Sequence, residues 1–250
     1  LIPADVIASL GRSHQIAPWT GFATLYGSRR LVAAARAEFR QALRGVAVRM
    51  LFVTPQRARQ LAHWTARLPG RWGHGIARTA STLAQALDLV DGRPNETALP
   101  LAYWRGAAAT STPRDPARDG CGLLWYAPLV PMKPAEIRGY TALVHEVTQH
   151  HGIEPLITLT SIGHRVFDST VPLLFDRQTP GAAENAHACW RELFARGREA
   201  GFAPYRYGSA DLAWLNTHLR GSDAIHQRLR EALDPDRLIS PGRFDGCRTS

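Results

Sequence analysis

The sequence lacks the short motifs that assign a function class directly. It contains no GxSxG nucleophile elbow, no phosphate-binding P-loop and no GxGxxG after a predicted strand. The usual grounds for predicting a hydrolase, a kinase or a dinucleotide-binding fold are therefore absent. Nor does any stretch approach the roughly 20 apolar residues of a membrane-spanning helix, because Arg, His, Asp or Gly interrupts each hydrophobic run. No membrane span is expected.

Cysteine pairs and metal-ligand patterns are also missing. The three cysteines, Cys121, Cys189 and Cys247, are widely spaced and odd in number, and we interpret them as thiols. Of the ten histidines only His150 and His151 are adjacent, and none forms an HxH or HxxxH pair. Neighbouring side chains on a helix diverge, which makes these two poor joint ligands. The sequence therefore predicts no metal site.

Acidic residues are outnumbered, with 21 Asp and Glu against 30 Lys and Arg, so the net charge is +9. Such an excess suits nucleic acid, an acidic partner or an anionic ligand. The basic residues are mostly arginines spread singly along the chain, without zinc-finger spacing or a recognition-helix pattern. This distribution disfavours nucleic-acid binding and leaves the other two classes open.

The hydrophobic pattern of the N-terminal part predicts a β-α-β unit. Strands are expected at Trp19–Tyr26 and Val46–Val53, where aromatic, β-branched or alternating apolar residues occur. A helix ended by Gly45 is expected between them. Its apolar face carries Val32, Ala35, Phe39 and Leu43.

A second unit, with the order β-α-β-β-α-β, is predicted from Cys121 onward. Its elements are a strand at Gly122–Val130, a helix through Ile137–Val147, strands at Pro155–Thr160 and Thr170–Phe175, a helix through Cys189–Phe194 and an extended segment at Pro204–Tyr207. This order predicts an α+β, ferredoxin-like fold in which helices pack on one face of an antiparallel sheet. We expect residues 1–210 to form this domain and residues 211–250 a helical arm that docks elsewhere.

Two groups of residues are candidates for chemistry, although neither is specific alone. Tyr205 and Arg206 place a phenol beside a guanidinium, but adjacent strand residues point to opposite faces unless the strand bends. On the residues alone, an edge tyrosine with a solvated arginine is the better explanation of the pair. Glu96 fits a charge in the first turn of a helix, and Tyr103 fits the core.

Taken together, eight segments resemble the cap domain of the vanillyl-alcohol oxidase and p-cresol methylhydroxylase flavoprotein family. The segments are Pro94–Glu96, Ala102–Arg105, Asp119–Pro128, Gly152–Leu156, Phe175–Arg177, Ala203–Arg206, Leu233–Pro235 and Pro241–Arg243. They occur in the family's order, and the resemblance extends over nearly the whole chain.

The resemblance implies an activity. Tyr205 and Arg206 would bind a phenolic substrate as its phenolate, because a fixed positive charge and a hydroxyl donor lower a phenol pKa from about 10. The phenolate would assist loss of a benzylic hydride to FAD, leaving a quinone methide that water attacks. Substrates would be 4-alkylphenols or 4-hydroxybenzyl alcohols. The alternative is a non-catalytic, basic interaction module that docks an acidic partner.

The resemblance also implies how FAD is held. Leu123 stands near the family's flavin-linking histidine, so Tyr103 is the candidate for a covalent bond, with non-covalent FAD as the alternative. Glu96 and Arg243 would contact the cofactor. A c-type cytochrome acceptor and a homo-oligomer are implied as well. The family's N-terminal flavin-binding domain has no counterpart here, so we expect the chain to be inactive alone.

Overall fold

The computed structural model describes residues 19–47, 49–65, 70–105, 110, 112–208 and 223–239, with the side chains of 70–79 and 223–224 left out. The chain divides into an N-terminal unit, Ile2–Trp104 with Ala109–Asp115, and a C-terminal unit, Arg105–Ala108 with Pro116–Ser250. The helices are α1 Arg29–Ala42, α2 Pro55–Thr65, α3 Gly70–Val90, α4 Pro134–His150, α5 Ala182–Glu199 and α6 Asp223–Leu233, with a 3₁₀ turn at Leu99–Leu101. The strands are β1 Cys121–Tyr126, β2 Leu129–Pro131, β3 Thr158–Ser161 and β4 Val166–Asp176.

The long strand β4 organises the sheet of the C-terminal unit. Strands β1 and β2 pair with it antiparallel in one common register, since Tyr126 lies opposite Val171 and Leu129 opposite Asp168. Only two residues separate β1 from β2, so both run along the same edge of β4. Strand β3 pairs with residues 167–170 of β4, which places it on the other edge.

A fourth segment, residues 203–205, closes the sheet next to β1 and β2. The Leu129 amide donates to the Ala203 carbonyl at 3.0 Å, and the Tyr205 amide donates to the Ala127 carbonyl at 3.1 Å. Between these bonds Pro128 and Pro204 form an antiparallel bridge. The spatial order is therefore β3, β4, β1 with β2, then 203–205, which confirms the predicted ferredoxin-like α+β arrangement.

Helices α4 and α5 pack on one face of this sheet. Pro134 begins α4 where its missing N–H costs nothing, and Tyr140, Val144 and Val147 are buried at spacings of four and three residues. The core joins these side chains to those of the sheet and of α5. Its other fully buried members include Tyr126, Val130, Val171, Leu173, Cys189 and Leu193.

One prediction for the N-terminal unit, that of a β-α-β unit, is wrong. Helix α1 forms as expected, with the Ser28 hydroxyl accepting from the Leu31 amide at 3.4 Å. The two strands expected around it are absent from the described residues of 19–54. A strand requires a hydrogen-bonded neighbour, and the described part of this unit supplies helices instead, with α2 and α3 packed together. Phe22, in the first expected strand, is 94% exposed.

The boundary expected near residue 210 lies outside the described residues, and the arm remains a prediction. Within it, α6 is followed by a tight turn held by Asp234. The Asp234 carboxylate is 8% exposed and accepts from the backbone amides of Leu238 and Ile239 at 2.8 and 3.0 Å. In the described residues no helix is long and apolar enough to cross a membrane.

Two segments named in the sequence analysis meet in the C-terminal unit. Arg105 donates to the Gly152 carbonyl at 3.0 Å and pairs with the Glu154 carboxylate at 2.5 Å. Glu154 is only 7% exposed, so this guanidinium neutralises a carboxylate that burial would otherwise penalise. This ion pair therefore holds the segment at Arg105, where the chain enters the C-terminal unit, against the loop that follows α4.

Candidate functional site

The structure places Tyr205 and Arg206 together at the edge of the sheet. The chain bends at these two residues, so their side chains do not diverge as strand neighbours would. The Arg206 guanidinium lies over the Tyr205 ring, with 4.9 Å between its central carbon and the ring centroid. Tyr205 is half-buried and Arg206 is exposed. A phenol and a cation thus occupy one location.

The Tyr205 hydroxyl is oriented by a third residue, Asp168, which the sequence analysis did not identify. It donates to Oδ2 of Asp168 at 2.9 Å. Burial raises the pKa of Tyr205, the hydrogen bond to Asp168 and its charge raise it further, and Arg206 opposes them. Tyr205 is therefore a protonated donor at neutral pH, and its single O–H is already engaged.

Asp168 lies on the face of the sheet opposite α4 and α5. The neighbouring residue Ser169 is fully buried and hydrogen-bonds Tyr140 of α4 at 2.7 Å, so Asp168 must point the other way. Among the described residues, Oδ1 of Asp168 is buried and has no hydrogen-bond partner. A buried carboxylate oxygen without a donor is costly, and a hydroxyl or water that reached it would relieve that cost.

A signal for Asp168 was present in the sequence. It is an acid within β4, an otherwise largely apolar strand whose residues Val171–Leu174 are all buried. Charged residues on such a strand are unusual unless they have a partner. The partner, Tyr205, lies 37 residues away, and only the tertiary fold brings the two together.

The N-terminal unit contains Tyr103 and Glu96, which share a neighbour in Arg114. One Glu96 carboxylate oxygen accepts from the Arg114 amide at 3.1 Å, and the other lies 3.5 Å from its guanidinium. The same guanidinium carbon lies 5.9 Å from the centroid of the Tyr103 ring. Glu96 therefore holds the loop of Arg114 in place, a structural role that the sequence analysis did not foresee.

A cleft of about 340 Å³ adjoins Glu96 and Arg114. This is near the lower end of the volumes of ligand pockets. It is an open cleft whose lining is about equally polar and apolar and includes Asn95 and Thr97. The guanidinium of Arg114 and the carboxylate of Glu96, which form an ion pair, both line this cleft.

Two further positions, Leu123 and Arg243, were connected with FAD in the sequence analysis. Leu123 lies on β1, partly buried and opposite Leu174. Its side chain offers no nucleophile for a flavin link at that position. Arg243 lies outside the described residues, so its expected contact remains a prediction.

Comparisons with known proteins agree with this picture of the fold. No protein-family model matches the sequence. The chain is 33% identical over 246 residues, 98% of its length, to 1'-carboxy-chondrochloren decarboxylase of Chondromyces crocatus, and covers 45% of that protein. It is 24% identical over 164 residues, 62% of its length, to the flavoprotein subunit of the hydroxylating 4-cresol dehydrogenase of Pseudomonas putida, and covers 27% of it.

Two solved structures share the fold. Substrate-bound p-cresol methylhydroxylase superposes with a TM-score of 0.70 at 20% identity, over 97% of this chain and 41% of the other. The isoeugenol complex of 4-ethylphenol oxidase from Gulosibacter chungangensis superposes with a TM-score of 0.74 at 19% identity, over 100% of this chain and 43% of the other. The chain thus spans less than half the length of each relative. Sequence and fold together show that it is homologous to the C-terminal region of the vanillyl-alcohol oxidase and p-cresol methylhydroxylase flavoproteins.

Proposed function

We propose that this chain supplies the phenol-binding part of an FAD-dependent oxidoreductase that acts on para-substituted phenols, either 4-alkylphenols or 4-hydroxybenzyl alcohols. The observation that carries the proposal is the grouping of the Tyr205 hydroxyl, the Asp168 carboxylate and the Arg206 guanidinium. Relatives named for 4-cresol, p-cresol and 4-ethylphenol support the substrate class.

Arg206 acts on the ionisation of the substrate. An adjacent positive charge favours the phenolate and lowers the phenol pKa by about 1 to 3 units. The phenolate pushes electron density toward the para carbon, which weakens the benzylic C–H bond toward hydride loss. When bound, FAD supplies the acceptor for that hydride, so the oxidised substrate is left as a quinone methide. Water then adds at the benzylic carbon and returns the ring to a phenol.

Tyr205 and Asp168 orient the substrate oxygen. Because the Tyr205 O–H points to Asp168, it cannot also donate to a phenolate without turning. The unpartnered Oδ1 of Asp168 accepts instead from the substrate O–H while the phenol is still neutral. When the phenol then loses its proton to solvent, Tyr205 turns to donate to the phenolate oxygen, and Arg206 offsets one of the two negative charges.

The cofactor residues belong to the N-terminal unit and the tail. We propose that Tyr103 carries a covalent link to FAD and that Glu96, Arg114 and Arg243 contact it. The net charge of +9 suits an acidic electron acceptor, for which we propose a c-type cytochrome, and the complete enzyme is proposed to be a homo-oligomer.

Oxidative decarboxylation is the second candidate function. It is favoured by the relative named as a decarboxylase, which is 33% identical over 98% of this chain. A carboxylate on the carbon next to the benzylic position can leave the quinone methide as CO₂. Its electron pair then forms a C=C bond and restores the phenolate. The same phenolate-binding residues serve both reactions, and release of CO₂ separates them.

The direct test is the visible spectrum of the complete protein, reconstituted with FAD, before and after anaerobic addition of a 4-alkylphenol. We expect a flavin spectrum that bleaches, and flavin that stays on the acid-precipitated protein unless Tyr103 is replaced by Phe. Decarboxylation would be the better account if 4-alkylphenols leave the flavin spectrum unchanged, while a carboxylated analogue bleaches it and CO₂ is released. Absence of bound flavin would favour a basic interaction module.

A second prediction concerns Asp168. We expect Asp168→Asn to lower the pKa of a bound phenol by about one unit, because it removes a negative charge that opposes the phenolate. Binding of 4-nitrophenol, whose phenolate absorbs near 400 nm, measures this ionisation directly as a function of pH. Asp176→Asn, in the same strand beyond the site, is the matched control. A bound-phenol pKa that is unchanged in Asp168→Asn would contradict the assigned role.

A further inference from the structure

Three side chains capable of binding a metal ion converge where α4 ends against α5. His150 is the last residue of α4 and His151 is its C-cap. Because His151 is outside the regular helix, helix geometry does not force the two rings apart. The side-chain nitrogens of both histidines and a carboxylate oxygen of Glu192 lie within 4.8 Å of one another. The sequence analysis set the histidines aside because neighbouring side chains on a helix diverge, and Glu192, 41 residues after His151, was not a candidate there.

The hydrogen-bond network determines which nitrogen of His151 carries a proton. The Asn185 side-chain amide donates through Nδ2 to the His151 carbonyl at 2.8 Å, which fixes the orientation of that amide. Its oxygen then faces Nδ1 of His151 at 3.0 Å, so Nδ1 must be the donor. Neutral His151 therefore presents the lone pair of Nε2 to its other neighbour.

That neighbour is a carboxylate. Nε2 of His151 lies 3.0 Å from Oε2 of Glu192, and Nδ1 of His150 lies 3.4 Å from the same oxygen. Two lone pairs at this distance repel unless a cation lies between them, and the cation is either a proton or a metal ion. The His151 side chain is 13% exposed, so little solvent reaches it to weaken that repulsion.

We propose that His150, His151 and Glu192 bind one divalent transition-metal ion of the zinc class. Two ligands at about 2.1 Å in tetrahedral geometry lie about 3.4 Å apart, close to the separations of 3.0 and 3.4 Å from Oε2. The three donor atoms come from the end of α4 and from α5 and converge closely enough for one ion to contact all of them. Mixed imidazole and carboxylate donors suit zinc, nickel, copper or cobalt rather than calcium or magnesium.

The surroundings of the cluster resemble the supporting contacts of known metal sites. A histidine ligand usually donates its other N–H to a carbonyl, as His151 does to Asn185. The second oxygen of Glu192 accepts from Arg196 at 3.3 Å, and Arg196 in turn pairs with Glu146 at 3.0 Å.

The experiment is zinc binding by the complete protein, without an affinity tag and after treatment with chelator. We expect one saturable site at pH 7.5 and a rise in Tm when zinc is added. Cobalt should give visible d–d bands without thiolate charge transfer. His151→Gln and Glu192→Gln should each abolish the site, and Asn185→Ala should weaken zinc binding about 10- to 100-fold through the lost support of His151.

His187→Gln, an exposed histidine on the other side of α5, should bind zinc as the wild type does. If His151→Gln fails to fold, His150→Gln tests the same site, because its side chain is 74% exposed and its replacement should leave the fold intact. The proposal is overturned if the wild type shows no saturable zinc binding, which would leave a proton as the bridging cation. It is also overturned if the variants of His150, His151 and Glu192 bind zinc as tightly as the wild type.

Discussion

Replacing Arg206 by alanine is expected to lower kcat/KM for a 4-alkylphenol about 100-fold at pH 7 in the complete enzyme. The guanidinium lies over the Tyr205 ring, 4.9 Å from its centroid. Its loss should raise the pKa of the bound substrate by about two units, so about 100 times less of it would be phenolate. Arg206 is exposed, and its removal should leave the fold unchanged.

The dependence on pH distinguishes this electrostatic role from a structural one. The deficit should shrink as pH rises toward the phenol's own pKa of about 10, because the substrate then ionises without help. Arg206→Lys should recover part of the activity, since it keeps the charge but not the planar guanidinium. Arg191→Ala, on the exposed side of α5, serves as the control. A deficit that is constant across pH would rule out phenolate stabilisation as the cause.

Gly197→Ala is expected to destabilise the fold by about 3 kcal/mol. Gly197 is buried in α5, and a Cβ there would collide with the Tyr126 hydroxyl while lying 3.1 Å from its Cζ and 3.4 Å from the Phe202 carbonyl. Tyr126 is fully buried and cannot move aside without disturbing the core. Overpacking of this kind costs more than the helix propensity gained from alanine, about 1 kcal/mol.

The cause can be isolated with a double-mutant cycle measured by denaturant unfolding. The Tyr126 hydroxyl has no hydrogen-bond partner among the described residues, so Tyr126→Phe should stabilise the protein by about 1 kcal/mol. In that background Gly197→Ala should be nearly neutral, which gives a coupling energy of about 3 kcal/mol. Equal effects of Gly197→Ala in both backgrounds would show that the hydroxyl is not the obstacle.

The C-terminal fold was predictable because local signals agreed there. The apolar spacing of Tyr140, Val144 and Val147 and the apolar strand after Cys121 each specify an element and its buried face. The prediction of the first β-α-β unit was wrong because its strands were predicted from local propensity alone. The pattern at 19–26 has strand propensity, but propensity cannot supply a partner strand, and pairing is decided by tertiary structure.

The candidate site was predictable only in part. The residues that were predicted are adjacent in the sequence, and those that were missed are far apart. Tyr205 and Arg206 are adjacent, so a motif can reveal them. Asp168 joins Tyr205 only because β4 and residues 203–205 flank the same strand pair. Arg114 similarly reaches Glu96 from 18 residues away. Residues that only the fold brings together have no fixed spacing in the sequence, so a sequence motif cannot identify them.

The bridge between Pro128 and Pro204 has a consequence for solubility. An exposed sheet edge is a template on which another molecule can add a strand and start aggregation. Here the segment at 203–205 contains a proline with no N–H to donate, and the opposite margin is the four-residue strand β3. The edge at 203–205 and the short edge at β3 are therefore poor templates for a foreign strand.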